Sequence, residues 1–301
     1  MDFMGLLNAM PGAIAQGMIW GIMAIGVYVT FKILDLADLT VDGSMVTGMA
    51  VCAMLMSAGC NVWVAMLVAT LAGMCAGLLT GIFHTFMGIP AILAGILTQL
   101  ILWSVNLKIM GKANQALPAR KFDVILTQLR KYEALVVLLI FCVVLIVLMY
   151  CFFGTKFGAS VRATGCNEKM ARAQGINTDM NKVIGFILSN GIVALSGALL
   201  AQYSGKADIN DGRGAIVIGL AAVIIGEAII SKLPSNFAVH LTGVIIGGII
   251  YYIVYQTVIF LGLDTDLLKM LSAIVVAIFL AIPYFKKKYF VKPVKRSKEL
   301  Q

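Results

Sequence analysis

Long apolar runs separated by short polar breaks dominate the chain. A run of about 20 apolar residues can cross a hydrocarbon core of about 30 Å as a helix. Such runs are predicted near 12–33, 43–59, 62–86, 89–110, 133–153, 181–203, 214–231, 237–261 and 267–284. The pattern predicts an all-α polytopic membrane protein with about eight to ten transmembrane helices. The range reflects the short run at 43–59, which contains Gly and Ser and either crosses completely or does not.

One arrangement occurs twice along the chain. An acidic, glycine-containing break precedes a short apolar run in DLADLTVDGSMVTGMAVCAMLM (35–56) and again in ADINDGRGAIVIGLAAVIIGEAII (207–230). Paired short, interrupted helices in two halves are typical of transporters, although apolar composition alone can produce a loose echo. We therefore divide one transmembrane domain, 1–301, into a first half at 12–110, an external segment at 111–132 and a second half at 133–284. GxxxG steps that predict close helix packing occur at Gly17/Gly21, Gly73/Gly77, Gly77/Gly81 and Gly243/Gly247.

Charge placement predicts the direction of the helices. The chain is 61% hydrophobic and 12% charged with a net charge of +9, and seven of its 23 basic residues lie in the tail at 285–301. Basic residues next to a span favour the cytosol and anionic lipid, so neither nucleic acid nor another polyanion is needed to explain them. Counting back four spans places the loop at 155–180 in the cytosol and 111–132 outside. The basic residues of 111–132 fit that side poorly, and FDVILTQLRKY (122–132) suggests a short helix lying on the membrane surface. We interpret residues 1–11 as a retained tail rather than a signal peptide.

Polar residues inside or beside the spans are the candidate path residues, because ionisable groups at membrane depth usually face a partner or a water-filled path. The polar residues of the break at 35–44 either line a polar cavity or cap the helix that follows. Glu227 either forms an ion pair at the membrane interface or belongs to the path. The polar residues expected toward the outer face either contact a receptor or substrate or are simply solvated. The candidates for the path are Asp35, Asp38, Thr40, Asp42, Ser44, Asn106 and Glu227, and those facing a receptor are Asp208, Asp211 and Arg213.

Other chemistry is not indicated. The six cysteines show no CxxC spacing and the two histidines are isolated, so we expect no metal site, disulfide framework or catalytic residue. Trp20, Trp63 and Trp103 either stack on a ring or belong to interfacial belts.

The polar segment GASVRATGCNEKMARAQGIN at 158–177 resembles the cytosolic coupling segment of permease subunits of ABC importers of the branched-chain amino acid and ribose type. The shared pattern is a Gly, an Arg, Gly-x-Asn, an Ala-Arg pair and a closing Gly-Ile-Asn. The segments AIGVYVTFKILDLADLTVDGS (24–44), HTFMGIPAILAGILTQLILWSVNLKIMGKAN (84–114) and AAVIIGEAI (221–229) are similar to the subgroup of tryptophan and tyrosine importer permeases.

This resemblance implies a multi-pass protein of the plasma membrane, paired with a second copy of itself. It also implies an extracytoplasmic substrate-binding lipoprotein and two cytosolic ATP-binding cassette subunits that bind ATP and Mg²⁺, while this chain holds no cofactor and is not an enzyme. No GxxxxGK[ST] phosphate loop occurs in the sequence. The implied solute is an amino acid, with aromatic ones as leading candidates. The residues expected to couple to the ATPase are Arg162, Asn167, Glu168, Arg172, Gly175 and Ile176.

Two other classes of function remain open from sequence. An ion-coupled secondary transporter would use Asp35, Asp38, Asp42 or Glu227 to carry protons or Na⁺, and its uptake would survive ATP depletion. A membrane scaffold or sensor would move no solute. Neither class requires the segment at 158–177.

Overall fold

A computed structural model of the chain describes residues 3–117, 124–230 and 236–260, together with positions 270, 273, 274, 277 and 281. The described part is a helical bundle with one two-stranded ribbon. Its elements are α1 (Phe3–Tyr28), a π-helical turn (Val29–Ile33), α2 (Val41–Ser57), α3 (Val62–Thr85), α4 (Ala91–Met110), β1 (Asn114–Ala116), α5 (Lys131–Gly154), α6 (Lys156–Cys166), α7 (Glu168–Ala173), α8 (Thr178–Ser204), β2 (Lys206–Asp208), α9 (Ala215–Ile230) and α10 (Phe237–Phe260).

The helices confirm the predicted all-α membrane fold. Within the described ranges, 6 helices are long and apolar enough to cross a membrane, and α2 and α9 are shorter apolar helices. Their lengths of 17 and 16 residues match the two short runs seen in the sequence. The predicted run at 267–284 lies almost entirely outside the described residues, and so does the basic tail at 285–301.

Helices α1 and α8 form the buried centre of the bundle and run antiparallel. Ser189 Oγ donates to the Gly26 carbonyl at 2.8 Å, Ser196 Oγ to the Ile19 carbonyl at 2.7 Å and Tyr203 Oη to the Gly12 carbonyl at 3.4 Å. These contacts recur every seven residues on both helices, about two helical turns, so they form one continuous seam. Small polar groups hold two central helices together where the surroundings are apolar.

The predicted glycine steps bring helices into close contact. A Cβ added at Gly77 of α3 would lie 2.2 Å from the Phe186 carbonyl oxygen of α8. One added at Gly247 of α10 would lie 2.1 Å from the Ala222 carbonyl oxygen of α9. These backbones approach too closely for any larger residue, which confirms the packing role predicted for the GxxxG steps.

The two ends of the bundle differ. At one end α6 and α7 connect α5 to α8, and we call this the connector end. At the other, the ribbon end, β1 pairs antiparallel with β2, with Asn114 opposite Asp208. The helices that precede these strands both end in a left-handed glycine, Gly111 at φ 67° and Gly205 at φ 70°, a conformation that residues with a Cβ rarely adopt.

One predicted element at the ribbon end is wrong. The sequence suggested a surface helix over 122–132, but the described residues 124–130 form turns and α5 begins only at Lys131. Leu126 is fully buried, and the Ile125 amide donates to Gln202 Oε1 of α8 at 3.2 Å. Leu126 therefore inserts into the bundle, whereas Leu129 is exposed.

Helices α3, α4 and α5 expose large apolar side chains. The most exposed include Trp63, Leu67, Leu100, Val136 and Leu148. Such a wide apolar surface suits contact with lipid or with another membrane-embedded chain.

Candidate functional site

The two short helices meet at Asp42. Its Oδ2 accepts a hydrogen bond from the Gly214 amide and its Oδ1 one from the Ile216 amide, both at 2.9 Å. These amides lie at the start of α9, where unsatisfied N–H groups and the helix dipole favour a carboxylate. The sequence left open whether Asp42 caps the helix that follows it or lines a cavity. The structure shows that it caps the other short helix, α9, and so joins the two repeated segments.

Asp38 lies at the centre of a buried polar network beside the middle of α8. Its side chain is 1% exposed; Oδ1 accepts from the Thr40 amide at 2.9 Å and Oδ2 from Asn190 Nδ2 at 2.7 Å. Asn190 Oδ1 in turn accepts from Ser44 Oγ at 2.6 Å. The break before α2, the first turn of α2 and the middle of α8 are therefore tied together by side-chain hydrogen bonds.

A row of hydroxyls extends this network to α3 and α4. The Thr40 and Thr80 hydroxyl oxygens lie 2.7 Å apart, and those of Thr80 and Thr98 lie 2.9 Å apart. All three residues are fully buried. Sequence reasoning selected Thr40 and Ser44 but missed Thr80, Thr98 and Asn190. The available signal was a polar residue isolated in an otherwise apolar span, which is costly unless it has a partner.

Asp35 and Glu227 do not join this junction. Asp35 is exposed and adopts a left-handed φ of 55° immediately after the turn that ends α1. Glu227, near the end of α9, pairs with Lys32 at 3.0 Å. Glu227 therefore forms an ion pair, which is one of the two alternatives that the sequence left open. The four acidic path candidates fall into two places: Asp38 and Asp42 at the junction, and Asp35 and Glu227 toward the connector end.

Asn106 lies on the α4 side of the junction. It is fully buried, and its Nδ2 donates to the Gly43 carbonyl at 3.3 Å, while its Oδ1 has no hydrogen-bond partner among the described residues. It lines a pocket of about 20 Å³ together with Asp42, Trp103 and Arg213. A pocket of this size admits one water molecule. Asn106 is therefore placed against a helix junction and not on the open surface.

Of the three receptor-facing candidates, Asp208 ends β2, and Asp211 and Arg213 lie in the loop between β2 and α9. Lys206 Nζ lies 3.8 Å from Asp208 Oδ2 and 3.7 Å from Asp211 Oδ2. Asp208 also accepts from Asn114 Nδ2 at 3.1 Å across the ribbon. The Arg213 guanidinium lies 4.3 Å from the centre of the Trp103 ring, a cation–π contact. The loop is therefore held by several polar and aromatic contacts.

The predicted coupling segment folds into the two short helices α6 and α7, which form a compact unit. Asn167 Oδ1 accepts from the Met170 amide and so caps α7, while Gly175 turns the chain with a φ of 81°. Glu168 accepts from Lys182 at 2.7 Å and from Arg172 at 3.2 Å. The hydrogen bond from Lys182 is the main reason why the pKa of Glu168 lies below its usual value.

Several residues that were expected to couple to the ATPase form hydrogen bonds or ion pairs within this protein. Arg172 also pairs with Asp179 at 3.2 Å, and Arg162 Nη2 donates to the Phe153 carbonyl at the end of α5 at 2.9 Å. Ile176 is half-buried. The large apolar side chains that this unit exposes are Phe157 and Met170, which sequence reasoning did not select.

Comparison with known proteins matches residues 10–281 to the family "Branched-chain amino acid transport system / permease component". The chain is 37% identical over 275 residues to a "Tyrosine transport system permease protein" of Clostridioides difficile, covering 91% of both chains. It is 32% identical to an uncharacterized protein of Rickettsia prowazekii, covering 91% of this chain and 98% of the relative. An "Autoinducer 2 import system permease protein LsrC" of Yersinia enterocolitica is 33% identical over 201 residues, which is 65% of this chain and 52% of the relative. No solved structure matches the chain.

Proposed function

The chain belongs to the family of permease components of branched-chain amino acid transport systems, and from this premise we propose that it is the membrane subunit of an ATP-driven importer. In this proposal two copies form the path, an extracytoplasmic lipoprotein delivers the solute, and two cytosolic ATPase subunits bind ATP and Mg²⁺. The permease itself hydrolyses nothing. The complex resides in the plasma membrane, with the connector end and the basic tail in the cytosol.

The compact unit formed by α6 and α7 is the observation that carries this proposal. Its ion pairs and helix caps hold it rigid, while Met170 and Phe157 project from it with 63% and 65% of their surface exposed. A rigid protrusion with exposed apolar side chains suits docking into a cleft of a partner. Because α5 and α8 continue directly from this unit, a movement of the partner would reach the centre of the bundle.

The solute that we propose is an amino acid, with aromatic side chains favoured. The relative from Clostridioides difficile is named for tyrosine transport, and it aligns over 91% of this chain. Both tyrosine and the branched-chain amino acids of the family description carry the same zwitterionic head group, so a polar site for that group is the shared requirement.

Copurification from the native membrane in mild detergent tests the docking. Wild-type protein should retain an ATP-binding cassette subunit, and Met170→Asp should lose most of it because a charge is placed at the centre of the contact. Met87→Asp is the matched control, since Met87 is also 63% exposed but lies on the turn between α3 and α4. Equal retention by the wild type and Met170→Asp would reject this docking surface.

One observation favours a second candidate, an ion-coupled transporter. The carboxylate of Asp38 is buried, and its hydrogen-bond partners at Thr40 and Asn190 are neutral groups. A buried carboxylate of this kind could accept a proton or Na⁺. This candidate requires uptake by ATP-free vesicles under an ion gradient, and Asp38→Asn should abolish that uptake.

A further inference from the structure

A cavity of about 300 Å³ lies where α1, α9 and α10 meet. Its lining includes four aromatic side chains, Trp20, Tyr251, Tyr252 and Tyr255, together with Ala273 and residues of the loop that leads into α9. Small-molecule sites in proteins have volumes of about 300–1,000 Å³, so this cavity is at the lower limit. It fits a single molecule the size of an amino acid better than it fits a larger solute.

The aromatic side is continuous. The ring centres of Trp20 and Tyr252 lie 5.8 Å apart, and those of Tyr252 and Tyr255 lie 5.7 Å apart. Tyr251 stacks on Tyr255 at 6.4 Å with the ring planes 16° apart. Rings pack on one another in offset or edge-to-face geometries that add about 0.5–1.5 kcal/mol to area burial. This wall therefore favours an aromatic ligand over an aliphatic one of equal size.

The loop contributes one acidic and one basic residue to the cavity, which together complement the two charges of a zwitterion. Asp211 and Arg213 line the cavity two residues apart in the loop, where Lys206 lies 3.7 Å from Asp211 and the Arg213 guanidinium lies over the Trp103 ring. A guanidinium binds a carboxylate through two parallel hydrogen bonds, and a carboxylate attracts an ammonium group that can also lie over a ring face. Asp42 already occupies the amides of Gly214 and Ile216. The cationic side chain that lines the cavity is Arg213, whose guanidinium lies over Trp103 and still offers N–H groups to a ligand's carboxylate.

The cavity is accessible from the molecular surface. Asn210, Arg213 and Val217 line it and are exposed. It adjoins the first turn of α9, the turn that Asp42 ties to α2. A ligand in the cavity would therefore contact the junction of the two short helices directly.

We propose that this cavity is a binding site within the permease for one aromatic amino acid zwitterion. Its ring packs against Tyr252 and Tyr255, its carboxylate binds Arg213 and its ammonium group binds Asp211. The site deepens the proposed import function, which supplies the reason for a solute to reach it. Binding to the isolated permease requires neither ATP nor an ATPase.

Equilibrium binding to the purified full-length chain tests the site, with radiolabelled L-tyrosine as the probe. Tyramine lacks the carboxylate, and 3-(4-hydroxyphenyl)propionate lacks the amine. Arg213→Gln should weaken L-tyrosine binding about tenfold or more and leave tyramine binding unchanged. Asp211→Asn should weaken L-tyrosine binding but leave binding of the propionate unchanged. Each ligand group is thereby matched to one residue.

Variants of the aromatic residues that line the cavity test the contact with the ligand's ring. Tyr255→Leu should weaken L-tyrosine binding about tenfold, whereas Tyr255→Phe keeps the ring and should stay within about threefold of wild type. Tyr132→Leu and Arg130→Gln, at exposed positions outside the lining of the cavity, are the matched controls and should bind like wild type. Melting temperatures of all variants report whether each remains folded.

The outcomes separate this inference from the importer proposal. No L-tyrosine binding by folded wild type, or equal loss of L-tyrosine and tyramine binding in Arg213→Gln, would overturn the site. If ATP-driven uptake is present in the intact complex at the same time, the importer proposal stands alone. If the site binds but no uptake depends on ATP, the site stands and the importer proposal fails.

Discussion

At the scale of single residues, Asp42 has a role that neither helix alone would reveal. It lies in the first turn of α2, but its carboxylate satisfies two amides at the start of α9. Hydrogen bonds to a charged group contribute about 1.5–3 kcal/mol each, because the alternative is an unsatisfied amide away from water. The relative placement of the two short helices therefore depends on one side chain.

Asp42→Asn should destabilise the protein by about 1.5–3 kcal/mol and reduce uptake. The amide can accept from one of the two N–H groups but presents its own NH₂ to the other. Asp35→Asn is the matched control, because Asp35 is exposed. The check is the melting temperature in detergent together with uptake in vesicles. Equal melting temperatures for the two variants would contradict the capping role.

The sequence predicted the junction residues that are neighbours in the chain but not their partners on other helices. Asp38, Asp42, Thr40 and Ser44 are close in the chain, so an acidic, hydroxyl-rich break was visible as a local pattern. The partners Asn190, Thr80 and Thr98 lie on three other helices, and each looks like an isolated polar residue in an apolar run. Which of these residues meet depends on helix packing and rotation, information that hydropathy does not contain.

At the scale of elements, the compact unit formed by α6 and α7 packs against the end of α1. A Cβ added at Gly165 of α6 would lie 1.7 Å from the Ile33 carbonyl oxygen, and Leu34 in turn packs on Gly185 of α8. The turn at Val29–Ile33 is π-helical, a geometry often found at functional sites in helices. The break that contains Asp38 follows directly, so α6 lies at one end of a short chain of contacts that leads to the junction.

Gly165→Ala should impair uptake and lower stability by about 1–3 kcal/mol, because the added methyl group would force α6 away from the turn. Gly154→Ala is the control, since a Cβ there has no heavy atom within 4 Å. Uptake assays and melting temperatures of both variants measure the effect. Wild-type uptake by a folded Gly165→Ala variant would show that this contact does not transmit movement.

The Glu168 cluster predicts a pH dependence of stability. Because hydrogen bonding to Lys182 lowers the pKa of Glu168 in the folded protein, its stabilisation is complete above the ordinary glutamate pKa. It is lost as the pH falls through the lowered value. Glu168→Gln should therefore melt below wild type at neutral pH by an amount equivalent to about 1 kcal/mol or less, since the pair is partly exposed.

Melting curves from neutral to acid pH measure this difference, which should shrink as the pH falls. The control is Glu133→Gln, which removes the exposed ion pair with Arg130 and should melt close to wild type. A difference between Glu168→Gln and wild type that stays constant down to acid pH would contradict the assignment.

Element boundaries were predictable where apolar length alone determines them. Helices α3, α4 and α5 begin and end within two or three residues of the predicted runs, since the spans are long and their polar flanks are distinct. The segment at 122–132 was not predictable in the same way. Its mixture of apolar and polar residues fits a surface helix equally well, and the contacts of Leu126 and Ile125 with the bundle distinguish the two structures.

At the scale of the whole molecule, the residues of the three proposed roles follow one another along one axis. The ribbon end carries the charged loop and the aromatic cavity, the middle holds the Asp38 and Asp42 junction, and the connector end holds the α6–α7 unit. The short helix α9 extends from the cavity and the junction to the Lys32–Glu227 ion pair near the end of α1. An importer of the proposed kind requires this order, because a solute enters at the end opposite the one where ATP acts.

Uptake by the intact complex tests the central claim most directly. The complex is purified from its native membrane, reconstituted into vesicles, and supplied with its lipoprotein and labelled L-tyrosine outside. ATP is present on the connector side, the ribbon side or neither. The account predicts uptake only with ATP on the connector side, unchanged when proton and Na⁺ gradients are collapsed by ionophores. Uptake without ATP that disappears with an ion gradient would contradict it.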